Sequence, residues 1–355
     1  MYGKHDTLSS TLVGPALDQP GLDALRRLAA VGRTPLAAVP TPLLPAPALA
    51  ARLRPDLRVA IKVDAWTGFG LGGNKVRKLE YELDPARLRG VTELVTAGGP
   101  HSNHCRVTAA AAAHLGLRCT LVVNGEPEDP RRGNAGLHRL LGARIVTVPD
   151  REARAPAMAE ESARIAADGG RALVVPLGAS TPRGTLGYVH AAVEMRAQVG
   201  DDRRPVWIFT AASSGGTIAG LMLGCAILGW QVRLVGVSPD EPAATVRANA
   251  TEIALAATGR LAPRDGDGPD LVDEVGRIAA ATHFTGDFVG EGYGIPTRAA
   301  DEAIALFGSR AGVILDPVYT GKAAAATCAW IREGIVPREA HVIFLHTGGH
   351  PALFR

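Results

Sequence analysis

The sequence is poor in lysine, and its positive charge comes almost entirely from arginine. Lysine occurs only at Lys4, Lys62, Lys75, Lys78 and Lys322. The formal net charge is only +3, and no run of basic residues stands out. Proteins that bind nucleic acids usually concentrate basic residues on one stretch or face. We therefore expect no nucleic-acid partner.

Cysteine is also scarce, and long apolar runs are missing. Cys105, Cys119, Cys225 and Cys328 form no C-x-x-C pair, and three of them lie in apolar stretches. This favours buried, reduced thiols. The first residues, "MYGKHDTLSS", lack the apolar core of a signal peptide. The apolar runs elsewhere end well short of a membrane span. These absences predict a cytoplasmic protein that does not associate with a membrane.

Strand-like and helix-like segments alternate along most of the 355 residues. Predicted strands cover residues 57–64, 92–99, 119–125, 144–149, 172–178, 205–216, 232–239 and 341–349. Predicted helices cover residues 21–31, 102–116, 133–142, 155–170, 185–200 and 217–229. The alternation predicts an α/β fold with parallel sheets covered by helices. The length fits two domains or one large α/β unit.

Several predicted strands run into glycine. The glycines are Gly98–Gly99, Gly178, Gly215–Gly216 and Gly348–Gly349. In open parallel sheets, ligands bind beyond the carboxyl ends of the strands. We therefore expect these glycines to line one cleft.

The segment "SSGGT" lies between a predicted strand and an apolar helix. Backbone N–H groups at such a helix start, together with hydroxyl groups, are suited to a phosphate. An ordinary strand-to-helix turn with a Ser or Thr cap gives the same pattern. No lysine follows Thr217, so the segment is not an ATP-hydrolysing P-loop. A phosphate bound here would belong to a cofactor that is held and not split.

The loop "GFGLGGNKVRKLE", residues 68–80, allows three interpretations. Its glycine spacing matches G-x-G-x-x-G, but Glu93 precedes its strand, where a Rossmann fold requires an acidic residue at the strand end. A flexible loop with solvated lysines is the plainest alternative. The third interpretation is an amine presented for chemistry. A lysine at a helix start, with a second lysine at i+3, has a lowered pKa through repulsion and the helix field.

His101 and His104 lie near the start of a predicted helix, next to Cys105. A metal site needs further ligands that the sequence does not suggest, so we predict none. Ordinary helix-start hydrogen bonds remain one interpretation. Substrate contact or acid–base work by His101 remains another, since a histidine titrates near neutral pH.

Seven segments carry a family resemblance. They are "GGNKVRKLE" (72–80), "SNH" (102–104), "GASTPRGTLGY" (178–188), "SSGGTIAG" (213–220), "GYGIP" (292–296), "DPVYTGKA" (316–323) and "HTGGHPALF" (346–354). In this order they resemble the fold-type II pyridoxal phosphate (PLP) family that contains 1-aminocyclopropane-1-carboxylate (ACC) deaminase and D-cysteine desulfhydrase. The resemblance runs from about residue 40 to the C-terminus.

The resemblance implies a fold similar to the β subunit of tryptophan synthase, with two open, twisted, mostly parallel sheets flanked by helices. It implies an N-terminal extension over residues 1–36 and a large PLP-binding domain of residues 37–78 and 185–355. Residues 79–184 would form a small α/β domain. It also implies a homodimer.

The same resemblance assigns cofactor roles. Lys75 would bond covalently to PLP, with Asn74 reaching the cofactor beside it, and Lys78 would be a neighbour that forms no such bond. Asn103 would bind the phenolic oxygen. The phosphate would be held by Ser213, Ser214, Gly215, Gly216 and Thr217.

Substrate roles follow in the same way. Ser102 would place its hydroxyl beside the substrate, and the helix start that includes Asn103 and His104 would take the substrate carboxylate. Tyr293 and Tyr319 would face the substrate as catalytic side chains.

Position 320 separates the branches of the family. The deaminases resemble one another in a glutamate here, whereas Thr320 is a neutral partner for the pyridine nitrogen, as in the desulfhydrases. Thr347 in "HTGG" also resembles the desulfhydrase branch. His101, Arg183 and the run Val63–Asp64 with Trp66 depart from the family pattern. The changes at His101 and Arg183 suggest a larger or more anionic substrate.

The resemblance implies a PLP-dependent lyase that removes a β-leaving group from a small amino acid, giving a keto acid and ammonia. Ring opening of the ACC type and β-replacement on a cysteine-like or serine-like amino acid are the alternatives. A non-catalytic protein that only binds an amino acid is the last alternative, against which the intact set of Lys75, Ser102, Tyr293 and Tyr319 argues.

Overall fold

A computed structural model describes residues 17–261 and 270–355. Residues 1–16 of the predicted N-terminal extension, including the segment without a signal-peptide core, lie outside these described residues. No helix in the described part of the chain is both long and apolar enough to cross a bilayer.

The described chain forms helices and strands with the following bounds. The helices are α1 Gln19–Ala29, α2 Pro47–Leu53, α3 Asn74–Glu82, α4 Pro85–Leu88, α5 Asn103–His114, α6 Gly133–Leu140, α7 Arg154–Ala167, α8 Leu186–Val199, α9 Gly216–Leu228, α10 Ala243–Thr258, α11 Leu271–Ala281, α12 Arg298–Ala311 and α13 Thr320–Arg332. The strands are β1 Leu43–Pro45, β2 Arg58–Lys62, β3 Glu93–Gly98, β4 Arg118–Asn124, β5 Arg144–Val148, β6 Ala172–Val174, β7 Val206–Ala211, β8 Val232–Val237, β9 His283–Thr285 and β10 His341–Leu345.

The strands form two sheets. The larger is six-stranded in the order β1-β2-β10-β7-β8-β9, and the smaller is four-stranded in the order β5-β4-β3-β6. All neighbouring pairs are parallel except β1 with β2. The predicted mostly parallel α/β architecture is therefore confirmed. The smaller sheet lies wholly within residues 93–174, but the proposed domain bounds stay a prediction.

The central strands of the larger sheet are buried on both faces. Along β10, Ile343 and Leu345 pack into one apolar cluster, whereas Val342 and Phe344 pack into another. Helices α8, α9 and α10 cover the first face, and α12 and α13 cover the second. Side chains alternate between the faces of a strand, so a continuous apolar run such as "VIFL" is what a doubly covered strand requires.

Every predicted strand and helix has a counterpart, most of them within two residues at each end. The predicted strand 172–178 is shorter: β6 ends at Val174 and a 3-10 turn, Leu177–Ala179, follows. The predicted strand 205–216 also stops early, at Ala211. The stretch between β8 and β10 carries helices α10 to α13 and the short β9, none of which the alternation pattern predicts.

Candidate active site

One cavity of about 920 Å³ lies where the two sheets meet. Gly98 ends β3 and Gly99 follows it, Gly215 lies between β7 and α9, and Gly348 follows β10; all of them, with Gly178, line the cavity. The expectation of one cleft is confirmed for these five glycines, whereas Gly216 and Gly349 do not line the cavity. Strand ends create it because parallel strands direct their following loops to the same edge.

The glycine loop brings α3 to the wall of this cavity. Gly72 and Gly73 have φ angles of 66° and 106°, which favour glycine. A Cβ on Gly72 would collide with the carbonyl oxygen of Ala65, and one on Gly73 would lie 3.1 Å from that of Thr347. The Asn74 N–H donates to the same Thr347 oxygen at 2.9 Å. The glycines therefore let the chain turn closely enough for α3 to begin at the cavity.

Lys75 has the environment of a reactive amine. It lines the cavity, and its Nζ donates to Oδ1 of Asn74 at 2.9 Å. Burial and then Arg106 lower the pKa of Lys75, Asp316 opposes them, and the net result is a pKa of about 8. The amine interpretation of the loop is thus favoured over a nucleotide site.

Lys78 lies close enough to Lys75 for the two amines to repel each other. Burial and then Lys75 lower the pKa of Lys78 well below its ordinary value. Arg106 is a further cation that lowers the pKa of Lys75. The Lys78 Nζ donates to Oγ of Ser180 at 3.1 Å, on the side of the cavity that carries the "SSGGT" segment.

Arg106 was missed by the sequence analysis. Its Nε donates to the Gly70 carbonyl at 2.8 Å and its Nη2 to the Gly72 carbonyl at 2.7 Å. No carboxylate lies within ion-pairing distance of it among residues 17–261 and 270–355, and burial lowers its pKa to about 10. It therefore ties the glycine loop to α5 while keeping its charge. The signal available was a single arginine inside the apolar helix "SNHCRVTAAAAA".

The start of α9 offers donors for a phosphate. Gly215 lies at its N-cap with a φ of 82° and no side chain caps the helix, so the first N–H groups are available to a ligand. The Ser214 hydroxyl contacts Ser180 Oγ at 2.7 Å, and Thr217 Oγ1 accepts from Asn74 Nδ2 at 2.9 Å. Asn74 therefore links this cradle to Lys75.

The cradle is shaped by small residues. A Cβ on Gly178 would lie 2.6 Å from Ser214 Oγ, and one on Gly216 would lie 2.6 Å from Ser180 Oγ. Ser213, Ser214, Gly215 and Thr217 line the cavity, whereas Gly216 does not. The donor set and the open helix start fit a phosphate group.

The start of α5 contributes two further predicted residues. Ser102 is its N-cap, and Ser102 Oγ accepts from the Cys105 N–H at 3.2 Å, which leaves the hydroxyl hydrogen for a ligand. Asn103 Oδ1 accepts from Arg106 at 2.7 Å and from Asn134 at 2.9 Å. Because Arg106 can only donate, the Asn103 Nδ2 hydrogens remain for an acceptor such as a phenolate.

Two tyrosines face the same cavity. The hydroxyl groups of Tyr293 and Tyr319 share a short hydrogen bond, and their rings meet edge to face at 5.9 Å. Asp316, also missed from the sequence, accepts from the backbone N–H groups of Val318, Tyr319 and Thr320, each at 2.9 Å. It fixes the turn that presents Tyr319.

Some predicted residues lie elsewhere or are engaged otherwise. Thr320 is not among the cavity-lining residues, and its Oγ1 lies 2.6 Å from Asp316 Oδ1. His101 does not line the cavity either; a Cβ on Gly133 would lie 3.1 Å from its ring. Arg183 forms an ion pair with Asp84 at 2.8 Å and is also absent from the wall, so its influence on the substrate stays a prediction.

His104 and Thr347 do line the cavity. The His104 Nε2 lies 2.8 Å from Thr96 Oγ1, and burial lowers the pKa of His104 well below its ordinary value, with Lys75 and Lys78 adding to the effect. The ring is therefore neutral at physiological pH and acts as a hydrogen-bonding group and not as a cation.

Known proteins resemble this chain over almost its whole length. A family model described as "Pyridoxal-phosphate dependent enzyme" matches residues 35–348. The D-cysteine desulfhydrase of Salmonella choleraesuis (strain SC-B67) is 35% identical over 344 residues, which cover 93% of this chain and 98% of the relative.

Solved structures agree with this. The structure of an ACC deaminase homologue has a TM-score of 0.81 and 33% identity, covering 94% of this chain and 96% of that one. A fungal L-serine ammonia-lyase from Rhizomucor miehei has a TM-score of 0.63 at 19% identity, covering 89% of this chain and 95% of that one, and supports the fold alone. The predicted fold-type II architecture and the predicted PLP cofactor are confirmed. The chain belongs to the family of pyridoxal-phosphate dependent enzymes.

Proposed function

We propose that this enzyme is a lyase that removes a β-leaving group from a small amino acid, giving a keto acid and ammonia. The observation that carries the proposal is the amine of Lys75, which is depressed in pKa and joined through Asn74 to a phosphate cradle. The likeness to D-cysteine desulfhydrase over 93% of the chain supports the same reaction type.

The residues that would hold PLP form a connected set. The start of α9 with Ser213, Ser214 and Thr217 would bind the phosphate, Asn103 the phenolic oxygen, and Lys75 the reactive carbon. Thr320 remains the proposed neutral partner of the pyridine nitrogen. PLP bound there supplies an electron sink that weakens the Cα–H bond of an amino acid.

The side chains of the protein would transfer the protons of the reaction. The Nζ of Lys75 would accept the α-proton of the substrate, because a lysine with a pKa of about 8 is partly neutral near pH 7. Ser102 and the first N–H groups of α5 bind and orient the substrate carboxylate. The leaving group departs with the electron pair of the bond to Cβ, and the hydroxyl pair of Tyr293 and Tyr319 supplies a proton where that group needs one.

Ring opening of the ACC type is the second candidate, because the solved structure at a TM-score of 0.81 is that of an ACC deaminase homologue. The products separate the two reactions. Elimination releases the β-substituent, whereas ring opening of ACC gives 2-oxobutanoate and releases no such group.

We further propose a cytoplasmic homodimer with the large and small domains bounded as above. All four cysteines are buried and free, which suits a reducing compartment. Light scattering of the purified protein at several concentrations tests the oligomeric state.

The function is tested by offering the purified protein D- and L-amino acids with β-leaving groups and measuring keto acid. Lys75→Ala should lower turnover on the order of a thousandfold or more and change the visible absorbance of the bound cofactor. Lys75→Arg keeps the charge but loses the reactive amine, so it should be equally impaired. Turnover by Lys75→Ala near the wild-type rate would show that the assignment is wrong.

A further inference from the structure

Two arginines near the start of α7 line the cavity, and they differ in their partners. Arg151 forms ion pairs with Asp240 at 2.9 Å and with Glu241 at 3.4 Å. Its guanidinium carbon also lies 5.3 Å from the centre of the Tyr293 ring. The positive charge of Arg151 is therefore already balanced by the loop that follows β8.

Arg154 has no carboxylate partner of this kind among the described residues. Within the described ranges, no carboxylate lies within 4.0 Å of its guanidinium. Its Nε donates to Asn124 Oδ1 at 2.9 Å, and a neutral amide orients a cation without neutralising it. Arg154 is partly buried, so its charge is screened less than that of a fully exposed side chain. A cation in this state favours an anionic ligand.

The position of Arg154 places this charge beside the proposed substrate site. Asn124, which holds the guanidinium, lies 4.0 Å from the point that a Cβ on Gly99 would occupy. The Gly99 carbonyl in turn accepts from the Ser102 N–H at 3.0 Å. Arg154 is therefore linked through Asn124 to the residues just before Ser102. It lines the same cavity as Tyr293.

We propose that Arg154 determines substrate specificity by binding an anionic group on the substrate side chain, so that the preferred substrate is an amino acid whose β-substituent is a tetrahedral oxyanion. This rests on the proposed function. A sulfonate or a phosphate ester meets the description. The α-carboxylate is assigned to the start of α5, which leaves the guanidinium for the second anion.

The chemistry balances for such a substrate. The α-proton goes to Lys75, and the bond from Cβ to sulfur or to the ester oxygen breaks with its electron pair on the leaving group. Sulfite or phosphate leaves as a stable anion, and water then converts the remaining enamine to the keto acid and ammonia. The sequence predicts a more anionic substrate from His101 and Arg183, whereas this proposal bases the same expectation on Arg154.

The test measures binding with probes that cannot react. Titration calorimetry of the cofactor-loaded protein compares 3-sulfopropanoate and 3-phosphonopropanoate with butanoate, which has the same carboxylate but no second anion. We expect the wild type to bind at least one dianion about tenfold to a hundredfold more tightly than butanoate, as for a charged hydrogen bond. Which dianion binds more tightly identifies the oxyanion.

Variants locate the effect. Arg154→Gln should bring the ratio of affinities close to one, Arg154→Lys should give an intermediate ratio, and Arg183→Gln should keep the wild-type ratio. A wild-type ratio near one, or a ratio unchanged in Arg154→Gln, would overturn the proposal. No turnover is needed, so a protein that discriminates these probes but fails to eliminate would refute the proposed reaction and leave this inference standing.

Discussion

Helix α3 carries three cations, Lys75, Arg77 and Lys78, which face two regions of the molecule. The buried region pairs its cation with carboxylates, whereas the cavity does not. Arg77 points into a buried cluster, where it donates to Asp64 at 2.9 Å and to Glu194 at 2.8 Å. Lys62 also reaches Glu194 at 2.8 Å, so each charge in the cluster has a partner. Lys75 and Lys78 face the cavity, and neither has a carboxylate within 4.0 Å among the described residues.

The pKa values follow the partners. Burial alone would lower the pKa of Arg77, but Asp64 and Glu194 raise it above its ordinary value. On the cavity side, burial lowers the pKa of both lysines and no close carboxylate restores it. The same few residues of sequence therefore supply a fixed structural charge and a reactive amine, depending on what the fold places opposite each side chain.

The largest expected effect is on the buried cluster. Arg77→Met leaves two buried carboxylates with one cation, which should lower the free energy of unfolding by about 3–5 kcal/mol. Urea unfolding measures this change. Arg26→Met is the control, because Arg26 forms only an exposed pair with Asp23 and should cost at most about 1 kcal/mol. Equal losses for the two variants would contradict the account of Arg77 as a buried charge that needs its two carboxylates.

A second expected effect concerns pH. The neutral fraction of Lys75 should rise with pH through a midpoint of about 8, because burial and Arg106 disfavour its charged form. The rate at which cofactor-free protein takes up PLP should follow the same curve. A rate that keeps rising toward 10.5, the ordinary value for lysine, would show that the cavity does not perturb this amine.

The smallest effect is expected at Lys78. Because burial lowers its pKa, the charged form of Lys78 costs stability at neutral pH, and Lys78→Met should change the free energy of unfolding of the cofactor-free protein by less than about 1 kcal/mol or raise it. Urea unfolding beside Arg77→Met provides the comparison. A loss as large as that for Arg77→Met would mean that Lys78 is paired in a way the structure lacks.

Much of the fold could be predicted because its strands are continuous apolar runs that end in glycine. The segments "HVIFLHTGG" and "PVWIFTAASSGG" each predicted a strand, β10 and β7. Each also predicted a glycine that lines the cavity, Gly348 and Gly215. The stretch from α10 to α13 could not be predicted in this way. Its strand β9 has only three residues, so the alternation on which the prediction depended is absent there.

The site was predicted in its motifs but not in its electrostatics. The cradle at the start of α9 follows from a local pattern, since helix starts have sequence signatures, whereas the roles of Ser102 and Asn103 follow only from the family resemblance. Arg106 and Asp316 act through partners far away in the sequence: Arg106 contacts Gly70 and Gly72, and Asp316 acts on Lys75. The ion pair of Arg183 with Asp84 could not be predicted for the same reason, because the two residues are far apart in the sequence.

The central claim is that Lys75, and not its neighbour Lys78, carries the cofactor. Reduction of the PLP-loaded protein with borohydride fixes the bond, and mass spectrometry of the digested protein identifies the modified lysine. We predict that the pyridoxyl group lies on Lys75, with Lys78 unmodified. A label on Lys78, or an equal distribution over both lysines, would contradict the account.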